Sequence, residues 1–429
     1  MESICCVLRV LFLYGLLQLI SFSYANDKTI TITAQIQNTP NIQVVSSDNN
    51  ENTIKIYKML IQDLRVLGHF NTYYDDTVKT NVLKYDISIQ DYKAKNIHFI
   101  AQVSHKKDGN KFIGILTLRD LVTDREETTE YIQEDKEAYP FISHTMAVYL
   151  SKYIKADNAD WINRYVIFSK QIDSTKTEIA IADYTFTYQK TLISNGINVF
   201  PKWANKEQSE FYYTSINNEA TIYRYNLSNS KNQRVLSSQG MAIVSDVSRD
   251  GSKVLMSLSP VGLSDIFLYD VKARKVVQLT TYSGIDVNAG FINNDKSFAF
   301  VSDRLGYPNI FVQDLYDNGY SRVSQAVFRG RNNSMLATFQ DYIVFSSRET
   351  NPDTGSIGFN LYLISSQSDY MRKLSKTGVN RMPRFSYDGD SIMFLKQSGG
   401  ESAIGIIRLS INKSFLFPLK SLKIQAFDW

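Results

Sequence analysis

Gly284-Ile285-Asp286-Val287-Asn288-Ala289-Gly290-Phe291-Ile292-Asn293-Asn294-Asp295 decides how the second half of this chain is read. A glycine opens a loop, an apolar anchor stands seven residues later, and a polar turn closes the stretch. The wording recurs. Gly196 lies seven residues before Trp203, Gly240 seven before Val247, and Gly378 seven before Phe385. The glycines at 196, 240 and 284 are 44 residues apart. Strand-like sequence with a period of about 40–50 residues marks a propeller, because each small sheet must stack on a neighbour to bury its faces.

Three parts fill each repeat. The anchor leads into a turn, as in Val247-Ser248-Arg249-Asp250-Gly251 and Phe385-Ser386-Tyr387-Asp388-Gly389, where Asp-Gly tolerates positive φ. An apolar strand then runs to a point nine residues past the anchor, at Tyr212, Met256, Phe300 and Phe394. A further strand carries Ile222-Tyr223, Ile266-Phe267, Ile310-Phe311 or Leu361-Tyr362. Trp203, Val247, Phe291, Phe339 and Phe385 are the anchors, and the turn after Phe339 is shortened, so Phe345 follows it by six. Before Trp203 stands a partial unit, with strands at 165–169 and 178–183 and no first strand. Ile424-Gln425-Ala426-Phe427-Asp428-Trp429 reads as an approach to an anchor and supplies the missing strand. The expectation is an all-β six-bladed β-propeller over residues 160–429, closed by the C-terminal strand, which removes the exposed edges of the ring.

A small α/β domain over residues 26–155 precedes it. Alternation around Ile30 and Ile32 predicts a strand. Ile54, Tyr57, Leu60, Ile61 and Leu64 share one helical face, and Gly68 follows as a C-cap. Strands are expected at 85–89, 98–103 and 112–118, and a second helix at 141–154. Residues 1–25 read as a secretory signal: Arg9, an apolar run over 10–20, then Ser23-Tyr24-Ala25 as a cleavage site. Both cysteines, Cys5 and Cys6, fall inside it, so the mature chain needs no disulfide and offers no thiol chemistry. The net charge of +4 carries no basic tract suited to nucleic acid or a membrane surface.

Catalytic patterns are scarce. The chain has no Gly-x-Ser-x-Gly elbow. His69, His98, His105 and His144 all precede the propeller, so it holds no Ser-His dyad of its own. His98 and His105 lack the partners of a metal motif. Asp250, Asp295 and Asp388 sit in repeated turns, where the carboxylate caps local N–H groups. No catalytic residue, metal or cofactor is expected. The inter-blade loops are the better site. Each joins an outer strand to the next inner strand, so all open on one face. They gather Asn198, Asp286, Asn288, Arg331, Asn332, Asn380 and Arg381 around a central opening, beside apolar Ile197, Met241, Ile285 and Val379. Such a mixture suits a wet, specific interface. The plainer reading of the same residues is that the glycines turn the chain and the apolar side chains pack between blades.

The motifs resemble the TolB family of the Tol–Pal envelope system. Asp246-Val247-Ser248-Arg249-Asp250-Gly251-Ser252-Lys253 is similar to the family's Trp-Ser-Pro-Asp-Gly-Lys wording. Phe300-Val301-Ser302-Asp303-Arg304, Gly306 and Pro308-Asn309-Ile310-Phe311 look closer still. Asp63-Leu64-Arg65, Gly68 and Phe70 resemble its helix-end signature, and Trp429 its closing strand. Most repeats lack the proline of the family's turn, Val247 replaces an aromatic anchor, and the unit of Phe339 carries an insertion around 351–358. Asn26-Asp27-Lys28-Thr29-Ile30 differs from the short segment by which family members engage TolA. The resemblance implies a monomeric periplasmic scaffold without enzymatic activity or membrane span once the signal is removed. Its partners would be the outer-membrane lipoprotein Pal at a propeller face, and TolA and other Tol proteins at the N-terminal domain. The process would be outer-membrane integrity and envelope constriction in cell division. The alternative from another class is a propeller hydrolase or lyase acting on periplasmic glycans or peptides; a third is a free-standing ligand-binding propeller.

Overall fold

The structure is a computed structural model that describes residues 39–74, 86–109, 111–156, 158–315, 322–328, 331–350 and 355–429. The signal sequence and the strand expected around Ile30 lie outside them. The described residues belong to one compact unit that runs from Ile36 to Trp429.

Its N-terminal part pairs a five-stranded sheet with helices. In chain order the elements are β1 (Asn41–Ser46), α1 (Glu51–Leu67), β2 (Asn71–Tyr74), α2 (Asp86–Ala94), β3 (Phe99–Asp108), β4 (Lys111–Asp120), β5 (Arg125–Gln133) and α3 (Tyr139–Tyr153). The sheet order is β2-β1-β3-β4-β5, with β1 parallel to both neighbours and β3 to β5 an antiparallel meander. Helix α1 starts where the Asn50 side chain accepts from Asn52 N at 2.9 Å. It stops at Gly68, whose φ of 73° lets its N–H reach the Leu64 carbonyl. Ile56, Leu60, Leu64 and Leu67 form its buried face. Pro140 stands in the first turn of α3, where its missing N–H costs nothing. Gly114 of β4 lets α3 approach closely: a Cβ there would lie 2.4 Å from Ile142 Cγ2.

One expectation fails. Residues 85–89 were expected as a strand, and Asp86–Ala94 is a helix. The alternation of Tyr85, Ile87 and Ile89 suggests period two. The deciding pair is Ile89 and Tyr92, three apart, which share a buried cluster with Val45, Ile97, Ile100 and Leu121.

The remaining strands form four four-stranded sheets and an eight-stranded sheet. The large one divides into two four-stranded units joined by a single parallel pairing, Phe359 with Val379. The topology is therefore consistent with six blades. The innermost strands are Ile424–Asp428 in the first unit, Ile197–Trp203 in the second, Ala242–Val247 in the third, Asp286–Ile292 in the fourth, Arg331–Phe339 in the fifth and Val379–Phe385 in the sixth. Each touches the next, and the sixth touches the first, so they close a ring. Ile424–Asp428 pairs antiparallel with Val166–Gln171, which makes the last strand of the chain the inner strand of the first unit. The short turn of the fifth unit is a two-residue hairpin that pairs Phe339 with Tyr342. Bulges interrupt the inner strands of the second, fourth, fifth and sixth units, with left-handed Phe200, Asn288, Met335 and Met382.

The helices and the propeller share a core. One buried cluster holds Leu60 and Leu67 of α1, Met146 of α3, and Trp161, Tyr184, Phe417 and Trp429. Trp161 meets Trp429 edge-on at 5.2 Å, and Tyr184 at 5.5 Å.

Candidate functional site

Strand direction fixes two faces. The inner strand and the third strand of each unit run the same way, because both are antiparallel to the second. The starts of the inner strands therefore share one face with the turns between second and third strands. The ends of the third strands lie on the other. On that second side, Arg408, at the end of the third strand of the sixth unit, donates to the Val66 and Leu67 carbonyls of α1 at 2.9 and 2.8 Å. The α/β part thus packs on the side opposite the inner-strand starts.

The seven residues selected from the sequence all lie within the first three positions of four inner strands, on the open side. Their environments divide them. Asn198, Asp286 and Asn380 are buried. The Asn198 side chain donates to the Asn195 carbonyl at 2.6 Å, and its N–H to Thr177 Oγ1 of the first unit at 2.6 Å. Asn380 donates to the Thr377 and Phe359 carbonyls, both at 2.9 Å, and its own carbonyl accepts from Ser346 Oγ of the fifth unit. Asp286 accepts two bonds from the Arg304 guanidinium at 3.1 Å, and its N–H reaches the Ser264 carbonyl of the third unit. These three fasten one unit to the next. The signal for this was available: a Gly-x-Asn turn brings the amide back to the carbonyl three residues earlier.

Asn288, Asn332 and Arg381 are half-buried. Asn288 donates to the Leu336 carbonyl at 3.3 Å. The Arg381 guanidinium lies 4.4 Å over the Phe359 ring. Arg331 pairs through its backbone with Arg348. Of the apolar companions, Met241 and Ile285 are exposed, whereas Ile197 and Val379 are half-buried.

Sequence reading missed the apolar turns beside them. Val261 is 88% exposed and Leu263 51%, in the turn between second and third strands of the third unit. Leu305 occupies the same turn of the fourth unit and is 42% exposed. Together with Met241 and Ile285, they place five uncovered apolar side chains on two adjacent units. The visible signal was Ser259-Pro260-Val261-Gly262-Leu263-Ser264, a turn with two large aliphatic residues and no packing role for them.

A second constellation was also missed. The residue before each anchor faces a cavity of about 140 Å³: Lys202, Asp246, Gly290, Thr338, Arg384 and Asp428. Lys202 Nζ bridges Asp246 at 3.1 Å and Asp428 at 3.0 Å, and Arg384 Nε lies 3.5 Å from Asp428. Burial opposes the Lys202 charge, but the carboxylates of Asp428 and Asp246 outweigh it and hold the ammonium above its usual range. Each carboxylate also accepts the backbone N–H of a neighbouring anchor: Asp428 from Trp203 at 3.0 Å, Asp246 from Phe291 at 2.9 Å. The cluster is charge-balanced and latches the ring.

The TolB beta propeller domain model matches residues 163–428. The Tol-Pal system protein TolB of Wolinella succinogenes is 42% identical over 416 residues, 96% of this chain and 98% of that protein. The Helicobacter pylori TolB is 43% identical over 411 residues, covering 95% and 97%. The Campylobacter jejuni TolB is 40% identical over 411 residues, covering 95% and 96%. Among solved structures, TolB from Acinetobacter baumannii superposes with a TM-score of 0.73 at 20% identity, over 91% of this chain and 96% of that one. No helix among the described residues is long and apolar enough to cross a membrane. A matched propeller, near-complete relatives and the same fold lead to one conclusion: the chain belongs to the TolB family of Tol-Pal system proteins.

Proposed function

We propose that this chain is a periplasmic scaffold that binds the outer-membrane lipoprotein Pal on the open propeller face and inner-membrane Tol components, TolA among them, through its α/β part. The observation that carries the reading is the exposure of Val261, Leu263, Leu305, Met241 and Ile285 on the side away from the helices. Uncovered aliphatic side chains rimmed by polar groups mark a protein-binding surface. Asn288, Asn332 and Arg381 supply polar groups at the neighbouring strand starts. The chain acts by binding and competition: Pal held here is kept from peptidoglycan, which links the site to outer-membrane integrity and constriction during division. Occupancy of the α/β part then changes affinity for Pal, and the coupling is reciprocal.

Titration calorimetry with the purified chain and a soluble form of Pal tests this. A saturable one-to-one complex is the expected result. An intact, folded chain that shows no binding to Pal contradicts the reading.

A further inference from the structure

Between the helices and the first propeller unit lies a group of charges that the binding faces do not use. His144 on α3, Asp63 on α1, and Asp183 and Tyr184 in the turn after the strand Thr177–Ala182 are all fully buried. His144 Nδ1 lies 2.9 Å from Asp63 Oδ2. Nε2 lies 3.5 Å from Asp183 Oδ2, an ion-pair distance without hydrogen-bond alignment. The other oxygen of Asp63 accepts from Tyr184 Oη at 2.6 Å. Asp183 is held in place by the N–H groups of Thr185 and Tyr188 at 2.9 and 2.6 Å, and by the Thr185 hydroxyl.

Both ring nitrogens of His144 therefore face carboxylate oxygens, one from each side of the joint. A neutral imidazole has one N–H and cannot serve both; the imidazolium has two. The aromatic rings beside it are Phe141 of its own helix and Tyr184, at 5.5 and 5.0 Å. Beyond them, Arg408 acts on Tyr184 and is itself paired with Asp390 at 2.7 Å. Burial disfavours the charged ring, and the carboxylates of Asp63 and Asp183 outweigh it, pushing His144 up to about 9.

We propose that protonated His144 is a removable pin between the helices and the first propeller unit, and that the joint pivots on Arg408 when the pin is lost. Without that extra proton, the ring keeps one N–H and presents a lone pair at its other nitrogen, so one of Asp63 and Asp183 loses its donor and the attraction across the joint is lost. Arg408 makes the second contact across the joint. It holds the end of α1 to the sixth unit through the Val66 and Leu67 carbonyls, so one contact opens while the other stays. The inference stands whichever partner the open face takes.

Histidine NMR on the full chain, with His144 assigned through His144→Gln, tests the pin. Hydrogen exchange of α1 and α3 amides is followed in parallel. The His144 ring is expected to keep its proton until about pH 9, and Asp183→Asn to lower that midpoint by about one to three pH units. Exchange in α1 and α3, corrected for the intrinsic rate, should rise about tenfold across the same titration, while the second strands of the propeller stay unchanged. If His144→Gln does not fold, Asp183→Asn against wild type carries the test alone. A midpoint near 6.5, a midpoint that Asp183→Asn does not move, or a titration without faster exchange in the helices overturns the proposal.

Discussion

At the starts of the inner strands, the propeller leaves Val261, Leu263, Ile285, Leu305 and Met241 uncovered. At the other side it buries Asp63, His144, Asp183, Asp390 and Arg408, all of them charged or chargeable. The same four-stranded unit makes both faces. Exposed aliphatic side chains gathered on adjacent units give the fold nothing, and a patch of that kind marks an interaction surface. A buried charge costs several kcal/mol unless paired, so each must be answered by a partner. On the proposed reading one face is therefore specified by a partner and the other by its own contacts, and substitutions separate the two.

The largest stability effect is expected at Arg408→Met. The guanidinium answers Asp390 with bonds of 2.7 and 3.0 Å and caps two carbonyls at the end of α1. Its loss leaves a buried carboxylate and should cost about 3–5 kcal/mol, read from the denaturant midpoint. Asp428→Asn comes next. It weakens the Lys202 and Arg384 contacts and the bond from Trp203 N, and should cost about 1.5–3 kcal/mol by the same measurement. Gly378→Ala follows, since φ is 79° and a Cβ would lie 2.9 Å from the Gln397 carbonyl oxygen. The left-handed conformation alone costs about 1–2 kcal/mol, and the close carbonyl adds to it. Val261→Asp, on the open face, should change stability by less than about 0.5 kcal/mol while weakening Pal about tenfold or more. A Val261→Asp variant that melts early would erase the contrast between the faces.

Stability should also depend on pH through the buried His144. His144 is held above the ordinary histidine value, so its favourable contribution is complete below about 6.5 and fades as pH rises through about 9. Denaturation midpoints at pH 6, 7.5 and 9.5 should fall in that order for wild type and change less for Asp183→Asn.

The repeat wording made the ring legible because each unit reuses a glycine, an anchor and a turn at fixed spacing. Trp429 was legible for the same reason, as an anchor without a following strand. Helix Asp86–Ala94 was not, since three alternating apolar residues fit either period and only packing against Ile100 and Leu121 decides. Asn198, Asp286 and Asn380 stand at the starts of their strands as expected, yet all three are buried, and bonds of Asn198 N–H, Asp286 N–H and the Asn380 amide and carbonyl fasten units. Sequence spacing gives position along a strand and not which neighbouring carbonyl an amide reaches. The joint was invisible for a related reason: Asp63, His144 and Asp183 are far apart in sequence and meet only once α1, α3 and the first unit are assembled.

On the proposed reading, Pal sits on the open face. Hydrogen exchange of the purified chain, free and saturated with soluble Pal, reads it directly. Protection is predicted in residues 259–264 and 303–308 and at the starts of the inner strands Asp286–Ile292 and Val379–Phe385. Protection confined to α1, α3 and residues 183–188, with the apolar turns exchanging as in the free chain, would contradict it.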